Sequence, residues 1–79
     1  MGKANPSMIE IFKTNVTERR QANSLIESIH NTFADHKANF DLHDIDNILR
    51  VECVTGTIKS ASMVEFIKDC GYKAEVLPG

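Results

Sequence analysis

Seventy-nine residues make one small domain and leave no room for a second. A content of 42% hydrophobic and 25% charged residues suits a globular chain with one core. The net charge of -2 gives no electrostatic basis for binding nucleic acid or an anionic membrane, and no run approaches the roughly 18 apolar residues that span a bilayer.

Met1 to Ser7 is polar, contains Pro6 and reads as a flexible N-terminal tail, with Met8 as a candidate natural start. It carries one lysine and no apolar core, so it is no signal peptide, and a cytoplasmic setting is expected. "MIEIF" (8–12) is a short β-favouring run. From Glu18 the period changes: Ala22, Leu25, Ile26, Ile29 and Phe33 form one stripe of an amphipathic helix. Its start offers Asn15 with Glu18 as a capping box, or Thr17 as the cap.

After the turn "ADHK", the segment "KANFDLHDIDNILRVECV" alternates on both sides of a polar centre. Ala38, Phe40 and Leu42 oppose Lys37, Asn39, Asp41 and His43, then Leu49, Val51 and Cys53 oppose Arg50 and Glu52. That is an antiparallel hairpin with one dry and one wet face. "TGTIKSAS" leads to a second stripe, Met63, Phe66, Ile67 and Cys70, with Ser62 and Glu65 as a capping box and Gly71 as the stop. In "YKAEVL", Tyr72, Ala74 and Val76 alternate against Lys73 and Glu75.

The order is βαββαβ over 8–77. Two apolar helix stripes and one apolar sheet face satisfy each other in two layers. Right-handed crossovers then predict an α+β, ferredoxin-like sandwich: an antiparallel four-stranded sheet, order 4-1-3-2, with both helices on one face. One end gathers Thr14 to Glu18, His43 to Asn47 and Cys70-Gly71-Tyr72, and the other gathers His36 with Thr55 to Ser60. The inward spacing of Cys53 and Cys70 predicts two buried, inert thiols.

The element order, the first helix stripe and the closing "DCGYKAEVL" resemble the heavy-metal-associated domain, the fold of copper chaperones and of the N-terminal modules of metal-pumping ATPases. The resemblance spans Met8 to Leu77. It implies a soft-metal site, "MxCxxC", at the first loop, where two thiolates at a helix N-terminus clasp the ion. Val16 stands at the methionine of that motif, Glu18 at its first cysteine and Gln21 at its second. Valine keeps an apolar plug, but glutamate and glutamine do not replace thiolates. Tyr72 matches the family's tyrosine beside the metal loop, and without ligands its expected role is packing.

Other chemistry is sparse. His43, Asp44 and Asp46 share one turn and offer a hard-cation alternative, without the spacing or glycine of a calcium loop. Arg19 and Arg20 oppose the helix dipole and could bracket an anion at the free N–H groups there. There is no glycine-rich phosphate loop and no placed His–carboxylate pair, so no catalytic residue is assigned and no enzyme is expected. The wet sheet face, read as Glu10, Phe12, Lys37, Asp41, Arg50, Glu52, Lys73 and Glu75, lacks the stacked aromatics of an RNA-binding sheet. The expectation is a non-enzymatic module without cofactor. It would bind a protein partner or a second copy through a sheet edge or the open face.

Overall fold

The computed structural model describes residues 8–43 and 45–77, so the expected tail at residues 1–7 lies outside the described residues. The elements are β1 (Met8–Thr14), α1 (Arg19–Thr32), β2 (His36–Asp41), β3 (Ile48–Cys53), α2 (Ser60–Asp69) and β4 (Ala74–Leu77). The strands form one antiparallel sheet in the order β2-β3-β1-β4, which is the expected order read from its other edge.

Pairing register decides which side chains share a face. Phe12 lies opposite Leu49, and Leu49 opposite Phe40; Val51 likewise lies opposite Ala38. These residues join Ala22, Leu25 and Ile29 of α1 and Met63 and Ile67 of α2 in a single core. Phe12, Ile29, Leu49, Val51 and Ile67 are fully shielded from solvent, and each such side chain stabilises the fold by about 1.5–3 kcal/mol. Leu42 packs on the rim of this core, past the end of β2.

The phase of β1 corrects the sequence reading. Phe12 belongs to the core rather than the open face, and Glu10 shares its side of the sheet, opposite Val51. In "MIEIFKT" both phases contain large apolar residues, Met8 and Phe12 against Ile9 and Ile11, so alternation alone does not choose. Register chooses, because only the even phase sets the bulky Phe12 ring beside Leu49 under the helices. Glu10 keeps partial access to water, since β4 pairs with β1 only as far as Ile11.

Both expected capping boxes are absent. Helix α1 has Glu18 at its N-cap with no side-chain cap bond, and Asn15 is engaged elsewhere. Helix α2 starts three residues earlier than expected, with Lys59 rather than Ser62 at the N-cap, which moves Ser62 inside its first turn. The end of α2 follows expectation. Gly71 adopts φ +98, its N–H donates to the Lys68 carbonyl, and the Tyr72 N–H donates to the Ile67 carbonyl. This is a Schellman stop, whose left-handed position favours glycine.

That stop also corrects Cys70, which is exposed rather than inward. The helix ends at Asp69, and the Cys70 N–H is shared between the Phe66 and Ile67 carbonyls. This tightened last turn carries the side chain off the Met63–Ile67 stripe.

Candidate functional site

Three loops meet at the end of the domain that holds Thr14–Glu18. The hydroxyl of Thr14, a residue only 7% exposed, donates to the Asn47 carbonyl at 2.6 Å and accepts from the Val16 N–H at 3.2 Å. The Thr14 N–H donates to the Asp46 carbonyl at 3.2 Å. Asn15 clasps the third loop from both sides: its carboxamide oxygen accepts from the Lys73 N–H at 2.8 Å, and its own N–H donates to the Lys73 carbonyl. The polar groups of this loop are thus spent on joining β1 to the β2–β3 turn and to the α2–β4 junction.

Val16 is fully buried in the core. Glu18 is exposed, Gln21 half-buried, and Tyr72 packs on the rim of the core. Arg19 and Arg20 open α1 with exposed side chains. In the turn, His43 is exposed and its N–H donates to the Asp41 carboxylate, while Asp44 lies outside the described residues. The Asp46 carboxylate stands 3.8 Å from the Lys13 ammonium in a largely exposed pair, an arrangement that contributes little to stability. Among the described residues, no group of three or more His, Cys, Asp and Glu side chains can hold a metal ion.

The opposite end carries a different juxtaposition. Cys53 of β3 lies directly between Met8 of β1 and His36 of β2 in the pairing register, all three on the helix-facing side. Cys53 is buried, and its thiol lies 3.4 Å from the Thr55 hydroxyl. That hydroxyl, with the backbone N–H groups of Thr55, Gly56 and Thr57, pulls the thiol below its ordinary pKa against the opposing effect of burial. The His36 Nδ1–H donates to the Ala34 carbonyl at 2.7 Å, and its ring packs against Phe33. Met8 accepts from the Ile58 N–H at its thioether sulfur, 3.3 Å away. His30, also near this end, accepts from the Ala38 N–H and serves the backbone.

The sheet face away from the helices has an unexpected centre. Ile9, Ile11 and Lys13 of β1 occupy it, beside Ile48, Arg50 and Glu52 of β3. Leu77 lies opposite Ile11, and Glu75 opposite Lys13. Lys37, Asn39 and Asp41 of β2 complete the face. Ile9 is 46% exposed, more than an isoleucine within a strand would be under a second layer. The phase error at β1 hid this stripe from sequence reasoning; its signal was the second apolar phase, Ile9 and Ile11.

No helix among the described residues is long and apolar enough to cross a membrane. No family model, no curated protein and no solved structure matches the chain.

Proposed function

We propose that this chain is a non-enzymatic contact module, a ferredoxin-like domain of the heavy-metal-associated kind in which the first-loop thiolate site has given way to a structural latch. Its function is to associate with a second copy of itself through the open sheet face. The observation that carries this reading is the Ile9–Ile11–Leu77 stripe on the sheet face away from the helices, bordered by Ile48; among the described residues Ile9 is exposed and the other three are half-buried.

Charge supports a self-complementary partner. Around the stripe stand Lys13, Lys37 and Arg50 against Asp41, Glu52 and Glu75, three charges of each sign. A face with an excess of one sign would select an oppositely charged partner. A balanced face meets its own two-fold copy without net repulsion. Four strands of about six residues cover roughly 400 Å², given spacings of about 4.8 Å between strands and 3.3 Å per residue. Two such faces bury roughly 800–1,000 Å² in all, which places the dimer in the weak, reversible class.

The test is molar mass in solution by sedimentation across micromolar to millimolar concentration, for the wild type and for Ile11→Lys. The wild type should shift reversibly from monomer to dimer, and the variant should stay monomeric with unchanged circular dichroism. A wild type that remains monomeric throughout, or a variant that dimerises equally well, would remove the open face from the account.

A further inference from the structure

We infer that Met8, Cys53 and His36 form a binding site for a soft monovalent metal ion, copper(I), at the end of the domain opposite the first-loop latch. The inference is independent of self-association, since these three residues share the helix-facing side of the sheet and not the open face.

The first support is geometric. Residues directly opposite one another on antiparallel strands place their Cβ atoms about 4.5–5.5 Å apart. Cys53 has such a neighbour on each side, so a thiolate is centred between a thioether and an imidazole. The register thus sets one thioether, one thiol and one imidazole side by side across three strands.

The second support is orientation. Because the His36 Nδ1–H is committed to the Ala34 carbonyl, the proton sits on Nδ1 and Nε2 carries the lone pair. A backbone carbonyl holding the far nitrogen is the usual arrangement behind a metal-bound histidine. His36 and Met63, a second thioether, line a pocket of about 240 Å³, while Cys53 lies buried behind it.

The ligand types select the ion. One thiolate, one imidazole and one thioether are too soft for Mg²⁺ or Ca²⁺ and include only two of the donors that Zn²⁺ prefers. Copper(I) accepts two or three such ligands, and with the thiolate it makes a neutral unit suited to a half-buried position. Binding replaces the S–H bond by an S–Cu bond, releases one proton to solvent and transfers no electron. This site departs from the sequence expectation of no bound metal.

The experiment is anaerobic titration of the full chain with copper(I) against a chromophoric copper(I) chelator, for the wild type, Cys70→Ser, Cys53→Ser, His36→Gln and Met8→Leu. The wild type should take one copper(I) per chain and release one proton, and Cys70→Ser should behave identically. Cys53→Ser should lose at least the roughly 10–100-fold in affinity that disturbing even a supporting contact of a metal ligand costs. His36→Gln and Met8→Leu, at partly exposed positions, should each weaken binding and so decide the matter even where Cys53→Ser does not fold. Silver(I), as a redox-inert probe, should shift the His36 Nε2 resonance and leave Nδ1 nearly unmoved. Failure to bind copper(I) at micromolar concentration overturns the assignment, as does binding unchanged by His36→Gln and Met8→Leu, or binding abolished by Cys70→Ser.

Discussion

Replacing Thr14 by valine keeps side-chain volume nearly constant and removes only the hydroxyl of the latch. Two hydrogen bonds go with it, the 2.6 Å bond to the Asn47 carbonyl and the 3.2 Å bond from the Val16 N–H. Asn47 is half-buried and its carbonyl can turn to water, so the larger cost falls on the Val16 N–H, which lies in a fully buried residue. A buried donor left without an acceptor costs about 1–3 kcal/mol, and the lost Asn47 bond adds about 1 kcal/mol, giving roughly 2–4 kcal/mol in all. In a domain this small each kcal/mol is worth about 6 °C, so Tm should fall by about 12–24 °C. Thr14→Ser keeps the hydroxyl and loses one methyl, for about 1 kcal/mol. Urea unfolding and thermal melts of the two variants measure this order directly. Amide exchange at Val16 should also accelerate in Thr14→Val and not in Thr14→Ser. A valine variant as stable as the serine variant would mean that the Thr14 hydroxyl does not hold these loops together.

Gly71→Ala should cost about 1–2 kcal/mol through backbone strain at φ +98, because a Cβ there meets no atom within 4 Å. Gly71→Asn should cost less, and a neutral alanine variant by urea unfolding would contradict the Schellman stop. In thiol labelling of the native chain, Cys70 should react at once and Cys53 only on denaturation; rapid labelling of Cys53 would contradict its burial. Val16→Met, Glu18→Cys and Gln21→Cys, combined in a Cys53→Ser background, should bind one copper(I) beside Tyr72. A folded variant that binds none would show that Glu18 and Gln21 do not occupy the positions of the family's cysteines.

Much of the fold was legible because β2 and β3 alternate without ambiguity: Ala38, Phe40, Leu49, Val51 and Cys53 are buried as their spacing requires. The strand order followed from element order and crossover handedness, and the hydrogen-bonded strand neighbours agree with it. β1 was not legible in phase, because Ile9 and Ile11 compete with Met8 and Phe12 on equal terms until Leu49 is placed opposite Phe12. The expected Asn15 cap failed for a long-range reason. Its carboxamide serves Lys73, 58 residues away, which no local spacing reveals. Cys70 was misplaced because a helical period was extended one residue beyond the last regular turn. The row Met8–Cys53–His36 depends on register across three strands, and register is not a property of any one segment.

Self-association through the open face is tested most directly by recording amide ¹H–¹⁵N spectra of the chain over a dilution series. As concentration rises, shifts should concentrate at Ile9, Ile11, Lys13, Arg50, Glu52 and Leu77, while amides of the exposed helix surface, such as Asn23, Glu27 and Glu65, stay fixed. Spectra that do not change with concentration, or shifts confined to α1 and α2, would contradict it.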